Sequence, residues 1–229
     1  MGTKPMLTPD LVARIGAVKV ADLADGCRML GFRGSVAAPS MRPAAPYSHL
    51  IGTAVTVTCS IQAGAHDYGE QAARLYSLGS SVPFAVMIQR NDVPDFTSIG
   101  SGGARVARAH GYVGWVTSGP IRDTDELRDL GVPVYGTSIV PSGRLVTQMP
   151  EGSSIRFDFD IPVDIAGMLV NPGDVIVGDN DGLIALAPDR LAEVLAGAER
   201  LVRGEGELFE RIDRGLTYRQ ILDAGRAGH

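Results

Sequence analysis

Apolar residues along this chain recur at two spacings, one of three to four residues and one of two, and the switches between them set the expected elements. Thr8-Pro9 followed by Leu11, Val12 and Ile15 reads as a capped helix start. A second helix is expected from about Val20 to Leu30, stopped by Gly31. Gly34 to His49 holds several prolines and alanines without a steady period, and is expected to be a long irregular connection. Ile51 to Ile61 is rich in β-branched residues and reads as a strand, while His66 to Leu78 has helical spacing with Ala72, Ala73 and Leu75. Phe84 to Ile88 then predicts a buried strand, Gly103 to Ala109 a short helix, and Tyr112 to Thr117 another strand. Strand and helix in alternation point to crossover units and a partly parallel sheet.

Val132 to Tyr135 resumes the sheet, and Arg144 to Ala187 reads as several strands in succession, ending in a hairpin around Asp179-Asn-Asp-Gly182. Asp189 to Val202 is amphipathic, with Leu191, Val194, Leu195 and Ala198 on one side. Gly204-Glu-Gly206 is expected to break that helix before a helix-prone tail from Leu208 to Leu222. The expected organisation is α/β, one domain over 1–203 with a helical tail over 204–229.

Composition narrows the function classes more than the fold. At 229 residues with 45% hydrophobic side chains the chain can bury one substantial core. A net charge of −5 opposes nonspecific binding to nucleic acid, since neutralising phosphates takes a basic surface. Cys27 and Cys59 have neither metal-ligand spacing nor a disulfide pattern and read as core thiols. No apolar run matches a signal peptide or a membrane span, so the expected location is the cytoplasm.

The chemistry converges on Arg122-Asp123. The run Tyr112 to Ile121 ends in a Gly-Pro turn and delivers a fixed cation beside a carboxylate, about twenty residues beyond the glycine-rich turn Gly100-Ser-Gly-Gly103. Such a pair can serve a metal ion and an anionic oxygen of one small acid. Read locally, the same residues open the helix Arg122 to Leu130, where acids meet the helix dipole and cap it. The glycines do not follow the Gly-x-Gly-x-x-Gly fingerprint of dinucleotide sites.

Four stretches resemble the class II pyruvate aldolases, the family that also contains the ribonuclease E activity regulator A proteins. They are Val20-Ala-Asp-Leu-Ala-Asp-Gly26, Ile51-Gly-Thr-Ala-Val-Thr-Val57, Gly111 through Val134 with Arg122-Asp123, and Asn171 through Gly182. The resemblance implies a swivelling β/β/α sandwich assembled as a homotrimer or a hexamer of two such rings. It also implies a divalent-metal lyase, with Mg²⁺ or Mn²⁺, that cleaves 4-hydroxy-2-oxo acids to pyruvate and can decarboxylate oxaloacetate. In that frame Asp123 holds the metal, Arg122 contacts the keto oxygen as the catalytic residue, and the N–H groups of Gly102 and Gly103 hold the substrate carboxylate. Anion binding at a helix N-terminus has its own physical basis.

One position departs from the pattern. The aldolases carry an acid about twenty positions before the Arg-Asp pair, where this chain has Ser101. A serine brings no charge to orient metal-bound water. Asp92 and Asp95 are candidates to compensate. The competing reading is therefore a noncatalytic regulator or small-acid-binding protein on the same scaffold. His66-Asp67 reads as a helix start, and Arg90-Asn91-Asp92 follows a strand end, where turn chemistry and substrate contact look alike. His49 and His110 show no ligand spacing.

Overall fold

The computed structural model describes residues 7–32, 34–46, 49–93, 96–142 and 149–221. In chain order the elements are α1 (Pro9–Gly16), α2 (Val20–Met29), β1 (Ser35–Val36), β2 (Arg42–Pro43), β3 (Leu50–Ala63), α3 (Tyr68–Ser77), β4 (Ala85–Asn91), α4 (Ser101–Ala109), β5 (Tyr112–Thr117), β6 (Pro120–Ile121) and α5 (Thr124–Leu130). They continue with β7 (Val134–Gly136), β8 (Ser138–Ile139), β9 (Ser153–Phe159), β10 (Val163–Ile165), β11 (Met168–Val170), β12 (Val175–Gly178), β13 (Leu183–Leu186) and α6 (Leu191–Asp213).

A nine-stranded mixed sheet runs in the order β1-β13-β12-β3-β4-β5-β7-β2, with β9 also paired to β3. The segment β3-β4-β5-β7 is parallel, as crossover units require, and the remaining pairings in the sheet are antiparallel. Alternation along the strands sends side chains to opposite faces. Val55, Val57, Cys59, Met87, Trp115 and Val134 face one way, into a core closed by α3, α4 and α5. On the same face, Val175, Val177, Ile184 and Leu186 pack beneath α1, α2 and α6. Ala54, Val86, Ile88, Val116 and Ile176 face the other way and are covered by the β10-β11 hairpin through Val163, Ile165, Met168 and Val170. Hairpin, sheet and helices thus form the three layers.

Close backbone approaches explain two glycines. A Cβ on Gly52 in β3 would lie 2.2 Å from the Phe84 carbonyl oxygen, and one on Gly26 in α2 would lie 2.8 Å from that of Val194 in α6. The α2-α6 packing therefore depends on a missing side chain.

Several expectations are corrected. Residues 34–49, expected to be irregular, contribute β1 and β2 to opposite ends of the sheet order, on β13 and β7. Two-residue strands leave no readable period. The helix expected from His66 starts at Tyr68, because the Asp67 carboxylate accepts from Glu70 N–H and caps it. α4 begins at Ser101 rather than Gly103. The break expected at Gly204-Glu-Gly206 is absent, and α6 runs unbroken from Leu191 to Asp213. Each helical glycine costs only about 1 kcal/mol, and the helix stops where Gly215 takes the left-handed conformation (φ 82°). The hairpin at Asp179 to Gly182 forms as expected between β12 and β13. Residues 144–148 of the strand-rich region, Leu222 of the tail, and Asp95 lie outside the described residues. No helix among the described residues is long and apolar enough to cross a membrane.

Candidate functional site

The parallel strands β4 and β5 end at Asn91 and Thr117, and the loops that leave them build the site. Open α/β sheets place ligand sites at such carboxyl ends. Asn91 organises the first loop: its amide donates to Phe96 O (2.7 Å) and Ser98 Oγ (3.2 Å), and its side-chain oxygen accepts from Val93 N–H (3.0 Å). Arg90 pairs with Asp92 at 2.9 Å. The Arg90-Asn91-Asp92 triplet is thus occupied with loop geometry.

The two loops are then stitched together. Ser98 N–H donates to Pro120 O (2.9 Å), and Arg122 N–H to Ile99 O (3.2 Å). Buried Ile99 and Ile121 bridge in parallel beneath them. This places Arg122 and Asp123 against the start of α4.

Asp123 sits just before α5 with φ 58° and ψ 42°, a left-handed conformation that costs a non-glycine residue roughly 1–2 kcal/mol. Its side chain does not cap α5, which corrects the local helix-capping reading. It turns back to α4, where Oδ2 accepts from Ser101 N–H at 3.0 Å and Ser101 Oγ at 3.3 Å. Arg122 Nε approaches the same oxygen at 3.5 Å. Gly100 makes room, since a Cβ there would fall 2.5 Å from Asp123 Oδ2.

Arg122, Asp123, Gly100, Gly102 and Gly103 line one cleft of about 400 Å³, together with Tyr76, Thr97 and Val106. The first α4 hydrogen bond of helical span runs from Ala104 N–H to Gly100 O. The N–H groups of Gly102 and Gly103 precede it and have no acceptor within the helix. The structure therefore brings Arg122, Asp123, Gly102 and Gly103 together, and adds Tyr76, Thr97 and Val106, which belong to no motif. An aromatic residue at helical spacing reads as core.

The other candidates lie elsewhere in the fold or in structural roles. His66 N–H donates to Ser154 Oγ, and His110 Nδ1 is bonded to Val106 O. His49 lines a smaller separate cavity with Leu127 and Pro133. Asp179 accepts from Val20 and Asp181 N–H groups. Cys27 and Cys59 are buried thiols outside any disulfide, and burial pushes Cys27 up.

Among the described residues no three His, Cys, Asp or Glu side chains gather as a metal cage. A hard, largely hydrated cation asks for less: one or two carboxylates, waters and oxygens of the bound acid. Asp123, with Oδ2 held by Ser101, fits that demand through its other oxygen. It does not fit a closed zinc site.

Comparison with known proteins bears on what such a cleft is for. The family model described as RraA-like, Aldolase/RraA, matches residues 20–185. The chain belongs to the Aldolase/RraA family. An uncharacterized protein of Methanocaldococcus jannaschii is 29% identical over 117 residues, covering 51% of this chain and 53% of its own. A Thermus thermophilus 4-hydroxy-4-methyl-2-oxoglutarate aldolase is 32% identical over 88 residues, 38% of this chain and 49% of that enzyme. The chain thus spans about half the length of these curated relatives. Among solved structures, RraAS2 of Streptomyces coelicolor, described as an unusual member of the RNase ES inhibitor RraA protein family, superposes with a TM-score of 0.70 at 24% identity, over 90% of this chain and 98% of that one. The Aldolase/RraA fold expected from the motifs is the fold found.

Proposed function

We propose that this member of the Aldolase/RraA family is a divalent-metal-dependent lyase that cleaves 4-hydroxy-2-oxo acids to pyruvate and a second carbonyl compound. The observation that carries the reading is the convergence of the Arg122 guanidinium, the Asp123 carboxylate and the first turn of α4 on one cleft. In the cleavage a proton leaves the C4 hydroxyl, the C3–C4 bond breaks, and its electron pair is delocalised onto the keto oxygen as the pyruvate enolate. Protonation at C3 completes pyruvate. Oxaloacetate would give the same enolate by losing carbon dioxide.

The residues divide this work by charge. The N–H groups of Gly102 and Gly103 receive the substrate carboxylate at the positive end of α4. Arg122 faces the keto oxygen, and its cation interacts more strongly with the enolate oxygen than with the neutral ketone, which lowers the barrier. Asp123 would hold Mg²⁺ or Mn²⁺, which would supply Lewis acidity to the developing enolate. The 3.5 Å Arg122–Asp123 pair keeps the two groups in register without closing the cleft.

Ser101 favours a second reading, a noncatalytic regulator or small-acid binder, because a neutral hydroxyl holds Asp123 where the aldolases carry an acid. Pyruvate release from a panel of 4-hydroxy-2-oxo acids and oxaloacetate, with Mg²⁺, Mn²⁺ and a chelator, separates the two. Metal-dependent release, lost in Asp123→Asn, supports the lyase; none with any acid supports the binder. The proposal includes a cytoplasmic homotrimer or hexamer in which residues 204–229 act as a tail. Exposed Phe209 (55%) and Ile212 (48%) on α6 supply apolar surface for such contacts. A monodisperse monomer in light scattering at micromolar concentration would refute the assembly.

A further inference from the structure

Tyr76 stands in the last turn of α3 with its ring fixed by two neighbours, the Trp115 ring at 6.2 Å and the His110 ring at 6.1 Å between centroids. Trp115 is itself immobilised, buried and donating from Nε1 to Gln89 Oε1 at 3.1 Å. The phenol is thereby presented to the cleft that holds Arg122 and Asp123. Its oxygen lies 3.2 Å from where a Cβ on Gly103 would stand, so glycine at that position is what leaves the hydroxyl uncovered beside the first turn of α4.

Tyr76 is half-buried against the core, and a tyrosine whose ring packs this way ordinarily spends its hydroxyl on a partner. Tyr112, which packs on the same tryptophan, donates to Leu75 O at 2.8 Å. The Tyr76 hydroxyl makes no hydrogen bond among the described residues. Burial raises its pKa, so at neutral pH it is a protonated donor. An unspent donor beside two helix N–H groups selects a ligand group that only accepts.

We infer that Tyr76 contacts the ligand of this cleft, its hydroxyl donating a hydrogen bond to the carboxylate of a 2-oxo acid seated against Gly102 and Gly103. The inference rests on the reading of the cleft as a 2-oxo acid site and adds a residue to it. Because the two N–H groups can only donate and the phenol adds a third donor beside them, the site favours a free carboxylate, which accepts through both oxygens, over the corresponding amide, which accepts through one.

The test is Tyr76→Phe, which keeps the ring between Trp115 and His110 and removes one unbonded oxygen. Calorimetric titration with pyruvate in the presence of Mg²⁺ is expected to show about tenfold weaker binding than wild type, with an unchanged melting temperature. In turnover, KM rises by a similar factor while kcat is nearly constant, the mark of an interaction shared by ground and transition states. A merely structural tyrosine would shift melting and leave pyruvate affinity alone. Equal pyruvate affinity in Tyr76→Phe and wild type overturns the inference and leaves the lyase reading standing. Tyr76-dependent pyruvate binding without pyruvate release from any acid sinks the lyase reading and keeps Tyr76 as a ligand contact. Absence of pyruvate binding by the wild type overturns both.

Discussion

Residues at the cleft are held by geometry that charge alone does not capture. Arg122→Lys keeps the cation but replaces a planar fork by a point charge on a flexible stem, so kcat for pyruvate formation is expected to fall roughly a hundredfold or more. Steady-state assay of the folded variant checks it; near-normal turnover would take the enolate away from Arg122. Ser101 is the more instructive position. Its N–H and hydroxyl both grip Asp123 Oδ2, so Ser101→Asp sets a second carboxylate against the first. Without metal the two anions repel, and the melting temperature in chelator should drop. With Mn²⁺ they cooperate, and calorimetry should show affinity raised about tenfold. An unchanged Mn²⁺ affinity would move the metal away from Asp123. The motif makes Arg122 and Asp123 legible in the sequence. Ser101's grip is not, because it depends on a left-handed backbone at an aspartate, which no local pattern announces.

Elements were readable in proportion to how many periods each contains. The long strand β3 and the helices α2 and α6 each display several repeats of a single spacing, and their existence follows from the sequence. β1, β2, β6 and β8 are two-residue strands whose pairing is decided by distant partners, so their own residues carry no signal. Glycine has opposite meanings in two helices for a similar reason. In Gly26→Ala the new methyl would meet Val194 O at 2.8 Å and Ala198 N at 3.3 Å, both backbone atoms of α6 that cannot step aside. Overpacking of about 1–3 kcal/mol then outweighs the gain of up to about 1 kcal/mol in helix propensity. In Gly204→Ala no atom lies within 4 Å, and the propensity gain stands alone. Urea unfolding should therefore show a lower midpoint for the first variant and an equal or higher one for the second, with unchanged slopes.

The whole molecule also carries an alkaline limit. Tyr112 and Tyr135 are raised above their ordinary value of 10.0, chiefly by burial, as is Cys27 above 9.0. Groups whose folded pKa is raised add stability that is complete below the unfolded pKa and is lost as pH rises toward the folded one. Unfolding free energy should accordingly begin to decline as pH passes about 9 and fall faster above about 10, measured by denaturant titration across that range. A flat profile to pH 11 would show that these groups ionise as readily in the native protein as in the unfolded chain. One architectural detail reaches further, into how the chain is made. Along one edge β3 pairs first with β12 and then with β9, while β4 covers the other edge. Both partners on that shared edge come from the C-terminal part of the chain, so during synthesis the longest strand emerges from the ribosome well before either can reach it. Until then a row of unpaired N–H and C=O groups, flanked by Val55, Val57 and Ile61, is open to any other extended segment nearby. Nascent chains stalled before β9 should bind chaperones through this edge.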